Sequence, residues 1–429
     1  MKAIAHSSLT DIVKKIQHPI EITREYEVEG LLTIMAGNVR DNFVSLDEQR
    51  FMPEAVRPRI AKNRLNVGDV LMTRTGANFG NTAPWKNTDV EAFACADVLV
   101  FREPSIPTGY LSSYLSSKAG QALIIRGGYG MAQPHIAPSY LQNLIVPRFG
   151  ILEQGIDDLV DQANRIARSA ATSQENAEHV LLNALGLAYW KPPEPLTYSA
   201  NAADVFKAQR FDAQYFRPKY NEAIALLKAK GNASNLGSLV ILNSRGRQPI
   251  YGDVGLPVIN SKHVRTNHVN LKDDNRFGEI DKSPVVIKKG DVLLNGTGVG
   301  TIGRAAPYIF DHDALPDNHV TVIRPNKIDP IFLSVFLNST LGQLQIEQLI
   351  KGSSGQIELY PDDIAKITVW DAPKEVQFAV RDALLSAKAL EMKSRNLLAA
   401  AKRAVEIAIE DTEAAALIFL KSQSSAEAN

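Results

Sequence analysis

Apolar and polar positions along the chain fall into two rhythms, and each rhythm occurs twice. Short β-rich runs bounded by Gly and Pro appear at 67–74 (VGDVLMTR) and 92–101 (AFACADVLVF), then again at 290–295 (GDVLLN) and 319–325 (HVTVIRP). These read as strands. The segments 110–124 (YLSSYLSSKAGQALI) and 332–349 (FLSVFLNSTLGQLQIEQL) space their apolar residues three and four apart, which predicts one amphipathic helix in each half. Each half therefore reads as a mixed α/β globule.

A heptad rhythm follows each globule. Leu152, Ile156, Leu159, Ala163, Ile166, Ala170, Ser173, Ala177, Val180 and Ala184 alternate four and three residues apart. Val376, Val380, Ala383, Ala387, Leu390, Ser394, Leu397, Ala401, Ala404 and Ala408 repeat the pattern. Both predict a long helix with a coiled-coil-like seam, about 50 Å long at 1.5 Å per residue. The Ala-rich seams suit close packing of one helix on the other.

The rhythms recur because the chain repeats itself. Residues 30–46 (GLLTIMAGNVRDNFVSL) align without gaps onto 255–271 (GLPVINSKHVRTNHVNL), and 67–85 onto 289–308 with one inserted residue. Residues 110–124 match 332–346, and 133–147 match 356–370, so the offset stays between 222 and 225 across four blocks. The expected fold class is α+β: two tandem α/β domains separated by two long antiparallel, coiled-coil-like helices. The expected boundaries are 1–149 for the first domain and 150–190 for the first spacer helix. A linker with a short helix at 220–230 occupies 191–232, the second domain 233–373, the second spacer helix 374–420 and a disordered tail 421–429.

Composition leaves this picture intact. A length of 429 residues suits two domains, and 45% hydrophobic with 22% charged residues argues against both disorder and a membrane protein. The first residues lack a signal-peptide core, and no run reaches the ~18 apolar residues of a membrane span. The lone cysteine, Cys95, excludes an internal disulfide, fits a reducing cytoplasm, and reads as a core thiol within an apolar run.

Charge changes the picture more. The net charge is zero, which by itself counts against a nucleic-acid partner. Yet 50–86 carries Arg50, Arg57, Arg59, Lys62, Arg64, Arg74 and Lys86 against Glu54 and Asp69. Residues 245–272 carry Arg245, Arg247, Lys262, Arg265 and Lys272 against Asp253, while 151–179 is acid-rich. Basic regions set apart from an acidic one can bind a polyanion, although charge alone does not distinguish this from ordinary solvated faces.

Catalytic motifs are incomplete. Gly298, Gly300 and Gly303 match a dinucleotide fingerprint, but that motif needs a helix to start at the glycines, and Pro307 follows too soon. The matching stretch 76–84 lacks the middle glycine. No phosphate-cradling loop and no cysteine-rich zinc site can form. The eight histidines, His135, His263, His268 and His319 among them, lack paired ligand spacing and read as exposed loop residues. Asp212 reads as a capping residue.

The repeat with its matched helices resembles the specificity (S) subunits of type I restriction–modification systems over essentially the whole chain. The resemblance rests on 67–80 and 289–303, the two helices ending in Gly-Gln, the blocks at Gln133 and Gln356, the heptad helices, and RFDAQYF (210–216). It implies two target-recognition domains, each reading half of a split sequence in double-stranded DNA. It also implies helices that dock DNA adenine methyltransferase subunits, with a restriction/translocase subunit as a further partner and no membrane. The S-adenosylmethionine site is then expected on the methyltransferase, with no cofactor or catalytic residue on this chain. Arg and Lys neutralise phosphates, and Arg, Asn and Gln pair with base edges. The candidates are Arg40, Arg57, Arg59, Lys62, Asn63, Arg74, Gln133 and His135 in the first domain. In the second they are Arg245, Arg247, Lys262, His263, Arg265, Arg304, Lys351 and Gln356. Arg40/Arg265 and Gln133/Gln356 are shared between copies and suit a structural role, whereas Arg74 against Gly296 suits sequence reading. A non-catalytic scaffold and a nucleotide-dependent enzyme are the competing readings.

Overall fold

The computed structural model describes residues 4–23, 25–46, 49–76, 78–130, 134–271, 276–279, 285–352 and 357–425. The chain forms two compact units, Met1–Ala170 with Ala389–Asn429, and Ala171–Lys388. In the first, β1 (Val13–Gln17), β2 (Val70–Thr73), β3 (Thr82–Pro84) and β4 (Val98–Pro104) form an antiparallel sheet in the order β1-β4-β2-β3. In the second, β5 (Val240–Arg245), β6 (Val292–Asn295), β7 (Ala305–Pro307) and β8 (Val320–Pro325) form the same sheet in the order β5-β8-β6-β7.

Both sheets are covered on both faces, and the period of two along each strand sorts the side chains between them. Val70 and Met72 join the helices' core with Leu99, Phe101 and Tyr110. Leu71, Val98 and Val100 point the other way, toward Leu32, Ile34 and Trp85. Those last residues lie on or beside a smaller sheet of Leu31–Ile34, Phe51–Met52 and Ala92–Ala94. The second unit repeats the sorting, with Val292 and Leu294 on one side and Leu293, Val320 and Val322 on the other. Cys95 is a buried core thiol.

The principal helices are α1 (Thr108–Ser116), α2 (Lys118–Arg126), α3 (Ile151–Leu185), α4 (Pro218–Lys230), α5 (Pro330–Asn338), α6 (Thr340–Leu349), α7 (Lys374–Glu410) and α8 (Glu413–Ser425). The single amphipathic helix expected in each copy is instead two. Ser117 and Ser339 adopt extended backbone, with ψ of 164° and 163°, and their hydroxyls accept N–H bonds from Gly120 and Gly342 at 3.2 and 3.5 Å. Each serine ends one helix and caps the next. The glutamine after each glycine reaches back to the sheet. Gln121 Nε2 donates to the carbonyls of Gly80 (2.9 Å) and Leu115 (2.8 Å), and Gln343 Nε2 to those of Gly303 (3.0 Å) and Leu337 (2.7 Å). The recurring Gly-Gln is therefore a clasp between helix pair and sheet.

A second recurring device is an ion pair between the two inner strands of each sheet, where one of them begins. Arg102 pairs with Asp69, and Arg324 with Asp291 at 2.7 Å. Asp69 is 2% exposed, and burial pushes its carboxyl above the ordinary value despite the Asn66 N–H and Arg102.

The long helices α3 and α7 have 35 and 37 residues, about 52 and 55 Å at 1.5 Å per residue. Their predicted seam positions are all buried or half-buried. In the first unit Leu152, Ile156 and Ala163 of α3 share a core with Leu397, Ala401, Ala404 and Ala408 of α7, and Ser394 Oγ donates to the Ala163 carbonyl at 2.8 Å. In the second, Ala177, Leu181 and Leu185 share a core with Val380 and Leu384. The first half of one helix thus meets the second half of the other in both units, which is the antiparallel pairing expected. A glutamate from the later half of each long helix caps the second helix of the short pair in its unit. Glu406 accepts the Lys118 N–H (3.2 Å) and Glu178 the Thr340 N–H (2.9 Å), where a negative charge also meets the positive end of the helix dipole.

Two local expectations are revised. The helix expected to run through 420 breaks after Glu410 and restarts at Glu413, with Thr412 Oγ1 accepting the Ala415 N–H at 3.2 Å. Residues 421–425, expected to be disordered, continue α8, and 426–429 lie outside the described residues. The short helix of the linker is an integral part of the second core, where Tyr220, Ala223 and Leu227 are fully buried. Among the described residues no helix is long and apolar enough to cross a membrane.

Candidate nucleic-acid interface

Each sheet ends in a cluster of polar side chains held on a shared backbone frame. In the first unit Arg74, just past β2, donates its N–H to the Asp97 carbonyl (2.8 Å) and accepts from Ile136 N–H (3.3 Å). In the second, Gly296 donates to the His319 carbonyl (2.8 Å) and accepts from Leu359 N–H (2.9 Å). Thr75 bridges His135 as Thr297 bridges Glu358. At the neighbouring strand end, Gln17 pairs with Val100 as Ser244 pairs with Val322, which makes His18 and Arg245 equivalent.

On this common frame the side chains change. The first unit presents His18, Arg74, Thr75, Asp97 and His135, and the second Arg245, Gly296, Thr297, His319 and Glu358. Only the threonine is kept, and its partner changes with its surroundings. Thr75 Oγ1 donates to Asp97 at 2.9 Å, and Thr297 Oγ1 lies 2.6 Å from His319 Nδ1. Arg74 Nη1 lies 3.1 Å from His18 Nε2. Arg245 Nη2 donates to the carbonyls of Leu359 (2.6 Å) and Gly296 (3.3 Å), its Nη1 stands 3.6 Å from Glu358, and the guanidinium covers Tyr360 at 5.2 Å.

The remaining candidates divide by what their polar atoms already do. Asn63 is 2% exposed and spends both ends of its amide on the Ile20 backbone, at 2.8 and 2.9 Å. It holds the chain together and offers no edge to a ligand. His263, expected in an exposed loop, is 3% exposed and accepts the Asn260 N–H on Nδ1 at 3.1 Å. The same place in the first copy is filled by Asn38, whose Oδ1 accepts the Met35 N–H at 2.8 Å. Arg57 is paired with Glu54 (2.8 Å) and Glu91 (2.7 Å), and Lys351 with Asp363 (2.6 Å), so their charges are locally compensated. Arg40, Arg59, Lys62 and Arg247 are exposed and form no ion pair among the described residues. Lys262 is exposed as well, and Arg265 and Arg304 are half-buried. Gln133, Gln356 and Lys272 lie outside the described residues.

The glycines at 298–303 form a turn between β6 and β7, and no helix begins there. Gly303 instead takes the Gln343 clasp, so the dinucleotide fingerprint is a coincidence of turn residues. Asp212 caps as expected, accepting the Tyr215 N–H at 3.1 Å, and its carboxyl is held below the ordinary range chiefly by the Arg210 guanidinium. Among the described residues no group of His, Cys, Asp and Glu is placed to hold a metal ion. His18, Thr75, Asp97, His319 and Glu358 were not among the expected contact residues. The signal for them was present only as positions bordering the repeated strands.

No family model matches the chain, and no curated protein matches it. Among solved structures it aligns with the type I restriction-modification system S subunit from M. genitalium, at 10% identity over 99% of this chain and 97% of the other, with a TM-score of 0.40. It also aligns with a structure concerning the complex assembly and conformational transition of the type I R-M system, at 13% identity over 99% and 98%, TM-score 0.33. The HsdS subunit from Thermoanaerobacter tengcongensis aligns at 12% identity over 96% and 98%, TM-score 0.28.

Proposed function

We propose that this chain is the sequence-reading subunit of a type I restriction–modification complex, with each strand-end cluster facing one half of a bipartite, asymmetric DNA target. The observation that supports this most is the contrast between constant frame and changed chemistry. A duplicated catalytic site keeps its reactive groups, whereas a duplicated reading surface changes its donors and acceptors and keeps its scaffold. Here, the clasps, caps and inner-strand ion pairs recur, and four of five cluster positions differ. Unlike clusters suit unlike half-sites, because donor and acceptor patterns are what distinguish base pairs.

In this reading α3 and α7 fix the separation of the half-sites, as rigid spacing does in dimeric DNA readers. Their outward faces dock DNA adenine methyltransferase subunits, which supply S-adenosylmethionine chemistry, and a restriction/translocase subunit supplies cleavage. The chain itself contributes recognition and no bond-making step.

Selection from a random-sequence duplex pool tests this, using the full-length chain with any subunits it retains from its native cell. The expected product is two short motifs with a fixed gap. Enrichment of no motif would leave a scaffold as the better description and overturn the proposal. Arg59 and Lys62, exposed and without ion pairs among the described residues, give a second check. Replacing both with Ala should reduce the slope of log affinity against log salt by up to about 0.9 for each phosphate no longer neutralised. An unchanged slope in a salt titration would place this surface away from DNA.

A further inference from the structure

Arginine occupies the strand-end cluster in both units, but it arrives from different strands. Arg74 follows β2, and the equivalent residue in the second unit is Gly296. Arg245 ends β5, and the equivalent residue in the first unit is His18. The exchange is sterically linked. A Cβ on Gly296 would stand 2.7 Å from Arg245 Nη2, so a side chain there would push this end of the guanidinium from its present place. One guanidinium per unit is retained, and its source is swapped.

The two guanidinium groups differ in what they have left to give. Arg245 is held through its outer nitrogens, with two carbonyls on Nη2, Glu358 beside Nη1 and Tyr360 beneath. Arg74 forms no ion pair among the described residues, and its one side-chain neighbour within hydrogen-bond distance there is the imidazole of His18. Its Nε, like that of Arg245, is buried and without a partner. Where the second unit has Glu358, the first has His135, whose Nδ1 is likewise buried and without a partner. Among the described residues the outer nitrogens of Arg74 therefore meet no carbonyl and no carboxylate, whereas those of Arg245 meet both.

We infer that Arg74 is the arginine through which the first domain grips the paired acceptor atoms of DNA, while Glu358 withholds its counterpart Arg245 in the second domain. The inference rests on the DNA-reading function proposed above and names the residue that carries it. Phosphate oxygens and the O6/N7 edge of guanine present the same chemistry to a guanidinium, two acceptors at fork spacing. The domains then differ in the salt dependence of their DNA binding as well as in the bases they read.

The test uses the full-length chain, a labelled pool of random-sequence duplexes and a salt titration, with thermal unfolding recorded for every variant. Arg74→Gln should weaken binding roughly tenfold or more; with a phosphate partner it should also lower the salt slope by about 0.9, which Arg74→Lys should restore. Arg245→Gln should leave the slope unchanged, and Glu358→Gln, which removes the charge that compensates Arg245, should raise it. If Arg74→Gln melts early, the comparison of Glu358→Gln and Arg245→Gln with wild type carries the test. A phosphate partner predicts equal weakening on all sequences. A guanine partner predicts that one G disappears from one half-site in selection. Should Arg74→Gln bind with wild-type slope and select both half-sites unchanged, or should Arg245→Gln lower the slope as much, the assignment fails while DNA reading stands. Should the wild-type chain bind no DNA, both fail together.

Discussion

Arg102→Met should cost the first unit about 3–5 kcal/mol, the usual loss when one partner of a buried ion pair is removed. Asp69 would be left 2% exposed, still accepting the Asn66 N–H at 2.7 Å but without a neutralising charge. Arg102 also donates to the Lys62 carbonyl at 3.1 Å and to Gln17 Oε1 at 3.1 Å, so the substitution unties β1 and the 61–63 turn together. Chemical denaturation should show the loss at neutral pH. The sign of the pH effect follows from burial, which already pushes the Asp69 carboxyl up. Without Arg102 it rises further, so the penalty is full above the raised folded pKa and shrinks as pH falls and the carboxyl takes a proton. Adding Asp69→Asn to the variant should recover much of the loss, because it removes the stranded charge. A deficit that is constant with pH and unrelieved by Asp69→Asn would show that packing, not charge, is what Arg102 supplies.

Gly342→Ala should be nearly as damaging, for a steric reason. A Cβ there would stand 2.5 Å from the Leu337 carbonyl oxygen and closer still to that of Phe336. Backbone atoms cannot swing aside as a side-chain tip can, so α5 and α6 must separate. The Ser339 cap and the Gln343 clasp lie on either side of the glycine and would be strained with it. The expected cost is about 3 kcal/mol, at the upper end of overpacking effects. Hydrogen exchange should show weakened protection in α5, α6 and β6 with the first unit unchanged. Gly120→Ala should do the same in the first unit, where Leu115 Cα and O lie 2.8 and 2.9 Å from the added carbon. Wild-type stability for either variant would refute the close approach of the paired helices.

How much of this was legible in the sequence depended on distance along the chain. The repeat, the strands at 67–74 and 290–295, and both heptad seams follow from local periodicity, and the structure places them as read. The break at Ser117 was harder, because the apolar spacing continues across it and only the Ser-x-x-Gly cap marks the interruption. Asn63 and His263 looked like surface donors, since burial of a polar residue depends on partners 43 residues away in one case and on a three-residue turn in the other. The swap of Arg74 and Arg245 was invisible in alignment. Arg74 aligns with Gly296, which suggests a missing arginine, whereas the replacement arrives from a strand 51 residues earlier that belongs to none of the four repeated blocks. Frame residues announce themselves by recurring, and reading residues by failing to.

The crossed sharing of the long helices has a consequence for biosynthesis. The second unit is one continuous stretch, Ala171–Lys388, whereas the first needs Ala389–Asn429 as well as Met1–Ala170. Its core is incomplete until Leu397, Ala401, Ala404 and Ala408 have left the ribosome to cover Leu152, Ile156 and Ala163. Domains ordinarily complete themselves in the order they emerge, N-terminal first. Here, the part synthesised first must wait with an uncovered apolar helix face until these late residues emerge. The part synthesised later can close before it. The interval between the two is when the nascent chain is most exposed to chaperones, to proteases and to pairing with the wrong helix.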